Sequence, residues 1–82
     1  MRIGICDDDV SWSAVEGATK YCLFRRVYNG SSWGTWEAVM TNRNTSYADK
    51  DVTAGTKYQY KVRAYTASGW SGFTVSSAVT PK

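Results

Sequence analysis

Residues 57–66 read Lys57-Tyr58-Gln59-Tyr60-Lys61-Val62-Arg63-Ala64-Tyr65-Thr66, and their side chains alternate between types that suit a core and types that suit water. The core-like side chains are Tyr58, Tyr60, Val62 and Ala64. Alternation at every second residue is the pattern of a β-strand that is buried on one face only. The stretch therefore predicts a long strand in a sheet that packs on a core with one face and meets water with the other.

The same alternation recurs in shorter segments along the rest of the chain, separated by Gly, Asn, Asp and Ser. Strands are predicted over residues 3–6, 10–13, 20–28, 36–40, 45–48, 57–66 and 74–80, with a tight turn at Asp7-Asp8. No helix is predicted, because the chain is rich in Val, Thr, Tyr and Trp and contains a single Leu. Strands at this spacing predict an all-β fold, a seven-stranded antiparallel β-sandwich made of two sheets.

The strand positions also predict which side chains face inward. Six of them are expected to form the core: Trp12, Tyr21, Leu23, Tyr58, Tyr60 and Val62. Cys6 and Cys22 fall on outward positions of different strands, so two free thiols are predicted rather than a disulfide.

Composition limits both the size and the chemistry of this protein. With 82 residues, of which 43% are hydrophobic, the chain is expected to form a single domain over residues 1–82. The absence of His removes the commonest general base and metal ligand, and no Asp or Glu is predicted to be buried. No catalytic residue, metal site or cofactor is therefore predicted. A net charge of +3 is small for a nucleic-acid partner, and no apolar run is long enough for membrane insertion, so a monomer with neither partner is expected.

Several segments together resemble a fibronectin type III domain, and the resemblance extends over nearly the whole chain. Val10-Ser11-Trp12 is similar to the second strand of that family, and residues 52–64 are similar to the turn into its sixth strand. Ser68-Gly69-Trp70-Ser71 and Val79-Thr80-Pro81 are similar to the last loop and strand of bacterial members. Tyr47-Ala48-Asp49 resembles the Tyr-x-Asp that often precedes the corner. The family usually carries Pro where this chain has Ala54, and it has a longer first strand.

The resemblance implies a tyrosine corner, in which the Tyr58 hydroxyl bonds to backbone upstream while its ring stays buried. It also implies a non-catalytic structural or interaction module within a larger extracellular, bacterial-type protein, in contact with neighbouring domains. The last loop has no Arg-Gly-Asp, so integrin adhesion is not carried over to this chain.

Aromatic residues predicted to lie outside the core leave two further functions open. They are Trp33 and Trp36 in or beside a loop, and Phe24, Tyr65 and Trp70 beside Arg63 on the outward face of the central strands. Packed on Arg and Lys stems, these rings would form a structural ladder, whereas two free coplanar rings would indicate a carbohydrate-binding module or a platform for a partner protein. The third alternative is a protein-binding scaffold that uses the loops at residues 14–19, 29–35 and 67–72.

Overall fold

A computed structural model describes residues 2–6 and 9–81 of this chain, and within them the fold is all-β, with two antiparallel sheets and no helix. The tight turn predicted at Asp7-Asp8 lies outside the described residues. The strands are β1 (Ile3–Cys6), β2 (Asp9–Trp12), β3 (Lys20–Val27), β4 (Glu37–Asn42), β5 (Ser46–Ala48), β6 (Tyr58–Thr66), β7 (Gly69–Trp70) and β8 (Thr74–Val75). In the part of the chain that is described, no helix is long and apolar enough to span a membrane.

The smaller sheet has the order β1-β2-β5, and the larger has the order β4-β3-β6-β7, with β8 also paired to β6. Strand β6 is the centre of the larger sheet, since it pairs with β3 along its length, from Tyr58 opposite Val27 to Tyr65 opposite Lys20. The strand with the clearest alternation in the sequence therefore organises the sheet that carries the outward aromatic residues.

The core lies between the two sheets and contains all six side chains expected there. The buried hydrophobic residues are Val10, Trp12, Tyr21, Cys22, Leu23, Met40, Tyr58, Tyr60, Val62 and Ala64. The Trp12 and Tyr21 rings meet edge to face, with centroids 5.9 Å apart. The Tyr21 hydroxyl accepts a hydrogen bond from the Val15 backbone N–H at 2.9 Å, so its polar end is satisfied at the rim of the core.

The structure differs from the prediction near the C-terminus, and eight strands rather than seven are present among the described residues. The strand expected over residues 74–80 is short and interrupted, because the Ser76 hydroxyl, not a backbone carbonyl, accepts the Tyr60 N–H at 3.0 Å. Pairing resumes where Val79 bridges Tyr58. The extra strand, β7, follows a tight turn that Gly69 closes with a φ of 104°, a conformation that other residues rarely adopt.

The tyrosine corner is present: the Tyr58 hydroxyl accepts a hydrogen bond from the Thr53 backbone N–H at 2.7 Å, and the ring is buried. Both cysteines are free thiols. Cys6 is exposed, while Cys22 is buried, and the Thr41 hydroxyl lies 3.2 Å from its sulfur.

The expectation that no acidic residue is buried was wrong, because Asp49 has no exposed surface at all. Its carboxylate lies 2.5 Å from the Arg25 Nη1 atom and accepts a hydrogen bond from the Tyr60 hydroxyl at 2.8 Å. The Asp51 backbone N–H is a third donor, at 3.2 Å. Burial of Asp49 is possible because a cation and two neutral donors meet its charge.

Candidate functional site

The outward face of the larger sheet carries a continuous row of aromatic and cationic side chains, which we call the ladder. Cross-strand pairing builds it, since Phe24 of β3 stands opposite Lys61 of β6, and Tyr65 of β6 stands opposite Trp70 of β7. Its members, in spatial order, are Lys57, Tyr28, Trp33, Arg26, Trp36, Lys61, Phe24, Phe73, Arg63, Trp70, Lys20 and Tyr65.

At one end of the ladder, Arg26 contacts two tryptophans. Its guanidinium carbon lies 4.7 Å from the Trp33 ring centroid and 4.6 Å from that of Trp36. Arg26 Nε donates to the Gln59 side-chain oxygen at 2.8 Å, and the Gln59 amide donates to the Ser76 carbonyl at 2.9 Å. This end is fixed by hydrogen bonds as well as by ring contacts, and we call it the closed end.

In the middle, Lys61 connects the closed end to the aromatic pair Phe24 and Phe73. The Lys61 Nζ atom lies 4.5 Å from the Trp36 centroid and 3.9 Å from that of Phe73. Phe24 and Phe73 meet edge to face, with centroids 5.3 Å apart and an interplanar angle of 79°. The Arg63 guanidinium then lies 5.0 Å from Phe73 and continues the row.

The other end, which we call the open end, is the more exposed one. Arg63 lies 4.4 Å from the Trp70 centroid, and the Lys20 Nζ atom lies 5.5 Å from Trp70 and 4.8 Å from Tyr65. Tyr65, Trp70 and Phe73 expose 37%, 38% and 40% of their surface. These rings are therefore accessible to a ligand, and so is Lys20, which is exposed, while Arg63 is half-buried.

The outward aromatic residues singled out in the sequence are brought together in this one row, and each has a cation over its ring. Trp33 and Trp36 share Arg26, Phe24 contacts Lys61, and Trp70 contacts Arg63. The paired rings are steeply inclined, at 65° for Trp33 on Tyr28 and 65° for Tyr65 on Trp70. The geometry is that of a ladder packed on its own Arg and Lys stems rather than of two free coplanar rings.

Positive charge is concentrated on this face. Five of the ten Lys and Arg residues belong to the ladder, and none of the five Asp and Glu residues that the structure describes is among its members. Within residues 2–6 and 9–81, the one ion pair joins Arg25 to Asp49, which leaves the ladder cations without a carboxylate partner.

A second polar cluster, Arg25, Asp49 and Tyr60, was missed by the sequence analysis. Burial acts to lower the pKa of Arg25, but its hydrogen bond to Asp49 and the charge of that residue outweigh burial and raise the pKa. Burial raises the pKa of Tyr60 well above its usual value, and the hydrogen bond to Asp49 adds to this effect. The signal in the sequence was Tyr47-Ala48-Asp49, whose acidic residue lies 24 positions from its cation.

Other surfaces of the described chain offer little chemistry. No group of three or more His, Cys, Asp or Glu among the described residues is placed to hold a metal ion. A surface cavity of about 280 Å³ lies between β1 and the segment 76–79, and its lining consists of Ile3, Gly4, Ile5, Ser76, Ser77, Ala78 and Val79. None of these side chains ionises, so the cavity has no group for acid or base chemistry.

Comparison with solved structures identifies the class of fold. The chain superimposes on part of the twitchin kinase region from C. elegans (Fn31-NL-kin-CRD-Ig26), with a TM-score of 0.69 and 24% identity, over 96% of this chain and 15% of that one. The fold is therefore a β-sandwich of the fibronectin and immunoglobulin kind. No protein-family model matches the chain.

The relatives found among curated proteins are amylolytic enzymes much longer than this chain. An amylopullulanase of Thermoanaerobacterium saccharolyticum is 39% identical over 57 residues, which is 68% of this chain and 4% of the enzyme. An alpha-amylase of Niallia circulans is 35% identical over 72 residues, 87% of this chain and 5% of the enzyme. An amylopullulanase of Thermoanaerobacter thermohydrosulfuricus is 37% identical over 62 residues, 74% of this chain and 4% of the enzyme. This chain is thus similar to one small segment of large, multidomain proteins.

Proposed function

We propose that this chain is a fibronectin type III-like accessory module, without catalytic activity, of a larger extracellular protein, where it spaces and contacts neighbouring domains. Three observations support the proposal: the β-sandwich, the tyrosine corner at Tyr58, and similarity to small segments of long amylolytic enzymes. A domain of this size with its own core and no demand for a cofactor suits the role of an independently folding spacer.

The observation that carries the structural role is that cations of the same chain already contact the aromatic rings of the ladder. Arg26 contacts both Trp33 and Trp36, so these two rings already have a partner within the chain. A cation–aromatic contact contributes about 0.5–1 kcal/mol at an exposed site, so a row of them stabilises the face that it covers. The ladder therefore acts first as the outer layer of the larger sheet.

The proposed lack of catalysis rests on which ionisable groups the chain contains and on how they are engaged. The sequence contains no His, and the one fully buried carboxylate among the described residues, Asp49, is engaged by Arg25 and Tyr60. A general acid or base must be free to exchange a proton with a substrate, and Asp49 is covered on every side. Hydrolysis in a parent protein would then belong to other domains.

Carbohydrate binding is the second candidate function. The observation in its favour is the open end of the ladder, where Tyr65 and Trp70 each expose more than a third of their surface. The names of the relatives connect them with starch-type glucans, which are neutral polymers that aromatic rings bind by stacking.

A tryptophan-fluorescence titration with amylopectin separates the two candidates. The accessory role predicts no saturable change for the wild-type chain, and the same result for folded Trp33→Ala and Trp70→Ala proteins. A saturable change that Trp70→Ala abolishes, while Trp33→Ala retains it, would replace the spacer role with glucan binding at the open end. Release of reducing sugar from amylopectin or pullulan by the purified chain would overturn the proposed lack of catalysis.

A further inference from the structure

We propose that the open end of the ladder binds an acidic polysaccharide, a linear polymer of uronic acids that carries one carboxylate on each sugar ring. The site consists of Lys20, Arg63, Tyr65 and Trp70 of the open end, together with Lys61 and Phe73 from the adjoining middle of the ladder. This inference goes beyond the accessory role, which stands or fails independently of it, and it names a different ligand from the neutral glucans of the relatives.

Charge is the first argument for an anionic ligand. Lys20, Lys61 and Arg63 lie on one sheet face, and none of them pairs with a carboxylate within residues 2–6 and 9–81. Half of the Lys and Arg residues of the chain stand in this one row, and none of the described Asp and Glu residues does, so this face is positively charged. A surface of one sign attracts a polymer of the opposite sign from solution and holds it in place.

The engagement of the rings is the second argument, because it disfavours a neutral glucan. Trp70 has Arg63 at 4.4 Å and Lys20 at 5.5 Å, and Phe73 has Lys61 at 3.9 Å. A neutral sugar that stacks on the covered part of a ring would displace a cation without replacing its interaction. A uronic acid can contact the exposed part of the ring and bind the cation where it stands through its carboxylate. Ligand charge and ring contact are thus satisfied together.

Shape is the third argument, and it separates a polysaccharide from an acidic protein or a plain polyphosphate. Lys61 and Arg63 are two residues apart on β6, about 7 Å, and the face of β6 from Gln59 to Tyr65 runs for about 20 Å in a line. Along this line cations alternate with rings. A uronic acid chain likewise alternates carboxylates with apolar sugar C–H surface, while a polyglycerol phosphate has no ring to place on Tyr65 or Trp70. A protein partner would require a broader patch of roughly 800 Å².

Titration calorimetry with the purified 82-residue chain tests this proposal. The probes are polygalacturonate, poly(glycerol phosphate), amylopectin and poly-L-glutamate, each at about 20 mM and about 0.3 M salt, since salt screens exposed charges. We expect saturable binding of polygalacturonate at low salt, weakened about tenfold at high salt. The other three polymers should bind at least about tenfold more weakly than polygalacturonate does at low salt.

Charge-neutral variants locate the site. The double variant Lys61→Gln/Arg63→Gln should weaken polygalacturonate binding by about tenfold, because two cations that bind carboxylates of the polymer are lost. Arg2→Gln removes the same kind of charge beside β1 in the smaller sheet, and its affinity should match the wild type. Lys20 is exposed at the open end, so Lys20→Gln leaves the fold intact and should weaken binding by about two- to threefold even if the double variant unfolds.

Four outcomes would overturn the proposal. The first is the absence of polygalacturonate binding. The second is equal binding of poly-L-glutamate or poly(glycerol phosphate), which would indicate attraction to any polyanion. The third is tighter binding of amylopectin than of polygalacturonate, which would also contradict the proposed accessory role. The fourth is a result in which the folded Lys20→Gln and Lys61→Gln/Arg63→Gln proteins bind polygalacturonate as tightly as the wild type does, while Arg2→Gln binds it more weakly.

Discussion

Replacement of Asp49 by Asn should destabilise this domain more than any other single-atom change in its interior. The carboxylate is fully buried, and it faces the Arg25 guanidinium at 2.5 Å and the Tyr60 hydroxyl at 2.8 Å. Asn keeps the shape but has only one oxygen acceptor. Tyr60 and the Asp51 backbone N–H bond to different oxygens of the carboxylate, so only one of these two hydrogen bonds can persist. What is lost is the negative charge opposite Arg25, whose side chain is only 14% exposed.

The magnitude follows from leaving that cation unpaired. Breaking a buried ion pair by removing one partner costs about 3–5 kcal/mol. The one surviving hydrogen bond and the partial exposure of Arg25 place Asp49→Asn near the lower figure, about 3 kcal/mol. A domain of this length has a total unfolding free energy of about 4–12 kcal/mol. At about 4–8 °C per kcal/mol, the melting temperature should fall by roughly 12–24 °C.

Urea unfolding of four proteins measures this effect: wild type, Asp49→Asn, Arg25→Met and the double variant. Met fills the space of the Arg25 stem without a charge, so the double variant buries neither ion. Its unfolding free energy should exceed the additive expectation by about 2 kcal/mol, because each single variant strands a charge that the double variant lacks. An Asp49→Asn cost below about 1 kcal/mol, together with additivity in the cycle, would refute the argument that this pair is shielded from water.

Further substitutions give sharp expectations. Burial, and then the hydrogen bond to Asp49, raises the pKa of Tyr60 above the ordinary 10.0, so the unfolding free energy should fall as pH rises past about 10, where the unfolded tyrosine ionises first. In Tyr60→Phe this slope should flatten, as measured by urea unfolding at several pH values; an equally steep slope would mean that other groups cause it. Tyr58→Phe removes the acceptor of the tyrosine corner and should cost about 1–2 kcal/mol in the same assay, whereas no change would mean that water replaces the hydroxyl. Trp12→Ala opens the core and should cost about 3–5 kcal/mol in thermal unfolding, and a loss under 1 kcal/mol would contradict its central place. Arg26→Met should cost about 1–2 kcal/mol and alter the near-UV circular dichroism of the tryptophans it contacts, and an unchanged spectrum would count against the closed end as described.

The fold was predictable from the sequence where the side chains follow a simple period. Strand β6 alternates without exception, so its two faces and its central position followed from the residues alone. The last predicted strand failed at Ser76, whose hydroxyl takes the place of a backbone carbonyl. A side chain that takes the place of backbone is not visible in a hydrophobic pattern, because the pattern records only which residues are apolar and not which groups they bond.

Pairings between distant residues were the part that the sequence did not reveal. Burial of Asp49 depends on Arg25. This arginine belongs to β3, and its Nη1 atom bonds to the Asp49 carboxylate. The meeting of Trp33 and Trp36 on Arg26 depends on a loop that folds back, as shown by the Gly34 N–H bonded to the Val27 carbonyl at 2.8 Å. Parity places residues on faces, but partner choice across strands requires the register, and register is a property of the assembled sheet.

The two ends of the ladder differ in how far their side chains are engaged within the chain, and this difference decides which residues can bind a ligand. At the closed end, Arg26 donates from Nε and Nη2 to Gln59 and contacts both neighbouring rings, so a ligand would compete with interactions that hold the sheet face together. At the open end, Lys20 and Trp70 are exposed, and the contact between them is one that a carboxylate can join rather than break. Rings without cations would leave an apolar patch that promotes association, and cations without rings would repel one another along β6. Alternation of rings and cations avoids both the apolar patch and the repulsion. Experiment can separate the structural role of the ladder from ligand binding: Arg26→Met should lower stability, whereas Lys20→Gln should weaken polygalacturonate binding with little change in stability.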